Sequence, residues 1–381
     1  MAVNLIRNAR VFFSSNVNAT TGELVENAAT SAMTNTNTFE LQVLEGMTFS
    51  QDTNVETVTV SESGETPARG QQAFNTALNP VSFSFSTYIK PAESSTTRTA
   101  EEAPLWNALT SSDAIGSANG WSDGTDPNPA TVNFTASDKN QLQKFALIVA
   151  MDDQTFIIQN CALNEATIDF GLDGIATVAW SGQATSIKRA VALTVGTPAA
   201  GSESLSGAGL TGSHAAKPRI TTDCFYLANK LSTASIVYGT TPATYSLAIT
   251  GGSITISNNI TYLTPANIGV VNKPITYFTG TRAISGSLSA YLRTGANSTG
   301  ALFDALITAS ASTAQPIGTL TINIGGSSST IPRVTLSAAQ AMFSIPNINT
   351  EQVVGTTINF TCIGTNIDSQ NELTLSYYAN V

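Results

Sequence analysis

The sequence predicts an all-β protein of two tandem domains, each a β-sandwich or partly open barrel with one short α-helix on its flank. Three observations carry that expectation. Apolar and polar residues alternate with a period of two in many short runs. Helical periodicity is confined to two segments. Strings from the first half return, in the same order, in the second.

The alternation is clear at residues 38–43, Thr-Phe-Glu-Leu-Gln-Val. It recurs at 55–60, 82–89, parts of 168–180, and 254–257. A strand with one buried face writes this pattern, because successive side chains point to opposite faces. Asp123-Gly124, Asp173-Gly174, Gly251-Gly252 and Gly325-Gly326 are expected to turn the chain between strands. The two helical segments are residues 101–110 and 299–308. The first has Glu101 and Glu102 ahead of Pro104; the second puts Leu302, Phe303 and Leu306 on one face. Both are short enough to need a sheet to lie on.

The repeat is read from five blocks. Residues 38–43 match 244–249 at an offset of 206, and Thr48-Phe49-Ser50 matches Thr255-Ile256-Ser257 at 207. Residues 82–90 match 285–293 at 203, 105–109 match 302–306 at 197, and 177–181 match 357–361 at 180. The falling offset places extra residues in the first copy, in the Gly/Pro/Asp-rich stretch 111–133. Domains of residues 1–190 and 219–381 follow, joined at 191–218 by a Gly/Ala/Ser/Thr-rich segment that reads mainly as a flexible connector and in part as a pairing strand.

Only 11% of the 381 residues are charged, against roughly a quarter in an ordinary soluble protein. Ser, Thr, Asn and Gly hold the polar positions instead, as suits strand faces that also pack against copies of the same chain. The net charge of −10 offers no basic surface for nucleic acid. It is uneven. Residues 1–190 carry twenty acidic and nine basic side chains, a net −11, and residues 191–381 carry six and seven, a net +1. The N-terminus has no signal-peptide pattern, since Arg7 and Arg10 interrupt a short apolar run. No segment approaches the ~18 apolar residues of a membrane helix. A protein made in a cytoplasm and soluble until it assembles is expected.

Nothing in the sequence supports chemistry. His214, the only histidine, lies in the connector among Gly, Ser and Ala, which gives a nucleophilic triad or histidine zinc site nothing to build on. Cys161, Cys224 and Cys362 are too few and too widely spaced for a disulfide framework, and read as small hydrophobes. Asp152-Asp153 reads as a hairpin turn and Glu101-Glu102 as a helix start, so neither is an opposed catalytic pair. No catalytic, cofactor-binding or metal-binding residue is assigned, and an enzyme is not expected. The loop at 60–70 holds Glu62, Gly64, Glu65, Pro67 and Arg69 and is expected to project toward a neighbouring subunit.

Several of these strings resemble bacteriophage tail tube proteins. They are Phe39-Glu40-Leu41-Gln42-Val43-Leu44-Glu45-Gly46, Phe49-Ser50-Gln51-Asp52-Thr53, Thr66-Pro67-Ala68-Arg69-Gly70, and residues 74–81 and 83–88. Residues 162–170 and Ala179-Trp180-Ser181-Gly182 look like the closing strands of the same domain. Tyr277-Phe278-Thr279-Gly280-Thr281-Arg282 and residues 287–293 look like the second domain of longer members. The resemblance implies two tandem tail-tube-like domains and a structural virion protein of the phage tail. It implies rings of six domains, a trimer of a duplicated chain with pseudo-sixfold symmetry, stacked into a conduit for genome DNA during ejection. Sheath, baseplate and tape-measure proteins are the implied partners, and double-stranded DNA passes without tight binding. Another ring-forming tail component, a hub or terminator, and a bacterial adhesin or fimbrial sandwich protein are the competing readings.

Overall fold

The computed structural model of the chain describes residues 9–25, 33–58, 71–117, 119–134, 138–151, 154–191, 193–195, 203–207, 210–216, 224–239, 242–312, 316–328, 332–350 and 353–379. The first half runs β1 (Arg10–Ser14), β2 (Thr38–Leu41), β3 (Thr48–Ser50), β4 (Thr53–Val58), β5 (Gln72–Leu78), β6 (Val81–Tyr88), β7 (Pro91–Ser94) and β8 (Thr97–Ala100). Helix α1 (Ala103–Thr110) follows, then β9 (Gly120–Ser122), β10 (Gly124–Thr125), β11 (Ala130–Asn133), β12 (Phe145–Met151), β13 (Gln154–Asp169), β14 (Thr177–Ala184) and β15 (Ser186–Val191). The connecting stretch holds β16 (Leu193–Val195), β17 (Glu203–Gly207) and β18 (Leu210–Ala216). The second half runs β19 (Thr233–Tyr238), β20 (Ala243–Leu247), β21 (Ile249–Ser257), β22 (Thr261–Leu263), β23 (Thr276–Phe278) and β24 (Ala283–Tyr291). Helix α2 (Thr299–Ser312) precedes β25 (Ile317–Ile324), β26 (Arg333–Phe343), β27 (Asn347–Thr350), β28 (Val354–Cys362) and β29 (Thr374–Tyr378). The all-β expectation is met, with α1 and α2 the α-helices among the described residues.

Each half is two antiparallel sheets that share one long strand. In the first, β13 lies beside β12 and β15 with its N-terminal part and beside β14 with its C-terminal part, giving orders β2–β1–β12–β13–β15 and β3–β6–β14–β13. In the second, β26 plays that part, giving β20–β19–β25–β26–β29 and β21–β24–β28–β26. A bulge recurs at the same place. Phe145 faces Cys161 and Leu147 faces Ile158, while Gly318 faces Ala341 and Leu320 faces Ala338. Aligning the halves on that bulge and following the pairings outward returns offsets of 206 for β2 with β20 and 203 for β6 with β24, as the sequence blocks have them. Two blocks shift. β3 aligns with β21 at 205 and β14 with β28 at 178, each two residues from the sequence match. A two-residue slip leaves every side chain on its own face, so alternation alone does not detect it.

The halves are joined by backbone pairing. Residues 165–169 of β13 pair antiparallel with 257–253 of β21, making one sheet β3–β6–β14–β13–β21–β24–β28 through both. A second junction pairs β11 with β29 through Ala130↔Tyr377 and Val132↔Leu375. One hydrophobic core runs through both halves, from Phe13 and Trp106 to Leu336 and Phe360. At its centre the Trp106 ring meets Trp180 edge-on at 4.8 Å, and the Trp106 indole N–H donates to the Tyr377 hydroxyl at 2.6 Å.

The extra residues of the first half explain a difference between the helices. All eight residues of α1 are buried, whereas α2 keeps exposed residues along its length. The insert wraps α1 through Asn107. Its amide donates to the Asp113 carbonyl at 2.9 Å and to Gln143 at 2.8 Å, and its oxygen accepts from the Trp121 backbone N–H at 3.1 Å. The corresponding Asp304 of α2 lies exposed. One local expectation differs from the structure. Gly251-Gly252 is no turn. It lies inside β21 at a bulge, where a Cβ on Gly252 would meet the Phe170 ring at 2.8 Å and the Ser287 carbonyl at 2.7 Å. Within the stretch 191–218, β16, β17 and β18 form a three-stranded antiparallel sheet. Its small polar residues hide the strand signal because they lack apolar alternation, yet their backbones pair like any others.

Candidate assembly surface

The through-running sheet has two unlike faces. Its buried face carries Phe83, Phe85, Val178, Trp180, Ala166, Ile168, Ile254, Ile256, Leu288, Ile358 and Phe360. Its opposite face carries Thr48 and Ser50 of β3, Ser82, Ser84 and Ser86 of β6, and Thr177, Ala179 and Ser181 of β14. Glu165, Thr167 and Asp169 of β13 continue it, then Ser253, Thr255 and Ser257 of β21, Ser285, Ser287 and Ser289 of β24, and Thr357, Asn359 and Thr361 of β28. Among these described positions there are two carboxylates and no Lys or Arg. Hydroxyls bond across strands, Thr48 with Ser84 at 2.9 Å, Ser50 with Ser82 at 3.2 Å, and Thr167 with Thr255 at 3.0 Å across the junction of the halves. Cross-strand hydroxyl pairs of this kind satisfy one another and leave little fixed charge for a passing ligand. A groove of about 670 Å³ follows this face, lined in part by Ser253, Thr255, Ser285, Ser287, Asn359 and Thr361.

Two hairpin arms leave the sheet at matching places. β4 and β5 follow β3, and β22 and β23 follow β21. The first exposes Val55, Val58 and Phe74, the second Leu263, Ile275 and Phe278, with Ile268, Val270 and Val271 between its strands. They meet where Leu78 and Asn272 bond through the backbone at 2.8 Å. Glu62, Gly64, Glu65, Pro67 and Arg69, the expected inter-subunit contact, lie between β4 and β5 outside the described residues.

The residues considered for chemistry are placed as structure. Glu101 and Glu102 are both buried at the start of α1. Lys90 forms an ion pair with Glu101. Burial raises the Glu102 carboxyl from its ordinary value to about 7, partly offset by hydrogen bonds from backbone N–H groups and from the Tyr377 hydroxyl. The sequence reading missed that Glu102 faces the last strand of the other half, and no local signal could have found a partner 275 positions away. Asp152 and Asp153 lie outside the described residues, between the paired Met151 and Gln154. Cys161 and Cys362 are buried, and burial raises both thiols, Cys362 to about 12. His214 lies in β18, opposite Leu205. Among the described residues there is no His/Cys/Asp/Glu cluster able to hold a metal ion, and no helix long and apolar enough to cross a membrane.

The chain is 30% identical to the tail tube protein pb6 of Escherichia phage T5 over 377 residues, which is 98% of this chain and 75% of that one. The chain belongs to the phage tail tube proteins. It is a structural component of the virion tail and not an enzyme. This tail tube protein matches no protein-family profile. A cryo-EM structure of the anti-feeding prophage baseplate, symmetrised sixfold, aligns with 34% of it and with 87% of the solved chain, at 12% identity and a TM-score of 0.27. Likeness at that level leaves the assignment resting on the pb6 relative.

Proposed function

We propose that the chain is a duplicated tail tube subunit that closes into rings of three chains, six like domains per ring, and that rings stack into a conduit for genome DNA. The domains are residues 1–190 and 219–381, joined by 191–218. The observation that carries the reading is the polar face of the through-running sheet. It spans both halves, is built mainly from hydroxyls with one amide and two carboxylates, and has no cation among its described positions. A lining of that kind neutralises no phosphates, so it releases no counterions and holds DNA weakly. The matching bulges and sheet orders of the halves support a duplication, which lets three chains supply six domains. The arms, with exposed Val55, Phe74, Ile268 and Val270, are the surfaces offered to neighbouring subunits, and the loop of Glu62, Gly64, Glu65, Pro67 and Arg69 continues the first of them. Sheath, baseplate and tape-measure proteins are the proposed further partners.

Electron microscopy of the purified chain tests this. Long uniform tubes with threefold rings of six lobes and an open lumen are expected. Isolated single rings would favour a hub or terminator, and monomers at all concentrations would favour an adhesin-like protein.

A further inference from the structure

We infer that the ring is closed by one specific strand pairing, β27 of one chain with β3 of the next, and that its register repeats the junction between β13 and β21 inside the chain. The inference rests on the ring-forming reading above. The through-running sheet ends on two open edges. Among the described residues, β3 pairs with β6 alone, and β27 pairs with β28 alone. These two edges correspond to the strands that meet within the chain. β3 is the counterpart of β21 at an offset of 205, and β27 continues β26 where the second part of β13 stands, at 180.

Carrying the internal pairing of Glu165↔Ser257 through Asp169↔Ser253 across those offsets sets the register between chains. Asn347 comes opposite Ser50, Ile348 opposite Phe49, and Asn349 opposite Thr48. The chemistry matches at each position. Thr167 and Thr255 share a hydrogen bond on the polar face, and Asn347 and Ser50 offer an amide and a hydroxyl in the same place. Ile168 and Ile254 are fully buried together, and Ile348, now 44% exposed, would cover the half-buried Phe49. Ile345, Val353 and Val354 are also exposed beside this edge, and residues 344–350 hold no charged side chain. An open apolar edge without a blocking charge is a template for another strand. The two edges are complementary and not identical, so the contact is head-to-tail, and such a contact closes into a ring when its rotation permits.

The occupant is therefore a second copy of this chain, and cysteine cross-linking reads the register. A chain carrying Ser50→Cys and Asn347→Cys is assembled into tubes and oxidised, beside a chain carrying Phe49→Cys and Asn347→Cys. Directly opposed strand residues lie within reach of a disulfide, and residues on opposite faces do not. The first variant is expected to give a ladder of covalent multimers ending at the trimer, the second none above the single-cysteine backgrounds. Tubes of the first variant without cross-links, or with cross-links in the second variant instead, would overturn the register while leaving the tube reading intact. Failure of the unsubstituted chain to form rings or tubes would overturn the reading beneath both. Mixing Ser50→Cys chains with Asn347→Cys chains gives a second readout with one substitution per chain. Covalent heterodimers are expected, and their absence from mixed tubes counts against the pairing.

Discussion

Replacing Tyr377 with Phe removes the two hydrogen bonds that its hydroxyl makes between the halves. The hydroxyl accepts the Trp106 indole N–H at 2.6 Å and donates to the Glu102 carboxyl, and all three side chains are almost fully buried. The substitution removes a single oxygen and leaves the ring, which still meets the Trp121 ring edge-on at 5.1 Å. Little apolar contact is lost. What remains is a buried indole N–H without an acceptor and a buried Glu102 carboxyl short of one donor, and the orphaned indole alone costs about 1–3 kcal/mol. The assay is urea unfolding of the unassembled chain followed by tryptophan fluorescence. All three tryptophans, Trp106, Trp121 and Trp180, belong to the first half, whereas Tyr377 belongs to the second. A lower midpoint with an unchanged slope is therefore expected only when the halves unfold as one unit. A Tyr377→Phe chain within about 0.3 kcal/mol of the parent, below the scatter expected of independent sites, would refute the reasoning.

Three further outcomes follow from the same structure. Glu102 holds its proton to about pH 7 in the folded chain and releases it near 4.5 when unfolded. The unfolded state thus binds fewer protons between those values, and stability falls as pH rises through that window, by about 3 kcal/mol at 1.36 kcal/mol per unit. Glu102→Gln removes that slope, so denaturation at pH 8 should find the variant more stable than the parent and the gap should close toward pH 4. Gly182→Ala would set a Cβ 2.4 Å from the Ala162 carbonyl and 2.5 Å from the Phe83 ring, and a loss of about 1–3 kcal/mol is expected in thermal unfolding. Asn107→Ala deletes three bonds to the segment between α1 and β12, and hydrogen exchange should show faster exchange confined to residues 111–144 and α1.

The strands were legible where one face is wet and the other buried, as in β6, whose residues alternate buried and exposed along most of its length. The alternation failed where it carries no information on register. The pairs Thr48 with Thr255 and Thr177 with Thr357 read as equivalent, yet the strand ladders place Thr48 with Ser253 and Thr177 with Gly355. Gly251-Gly252 read as a turn because paired glycines mark turns in general, and only the approach of Phe170 shows why this strand needs them.

Local pattern in the sequence determined the all-β class, the two helices and the scarcity of charge, because each depends on neighbours along the chain or on composition. Tertiary structure alone decided that β13 meets β21, that Glu102 and Trp106 meet Tyr377, and that the hydroxyl-bearing faces of seven strands align on one side. Those contacts join residues up to 275 positions apart, and their partners are selected by packing and ladder register, which no short window of sequence contains.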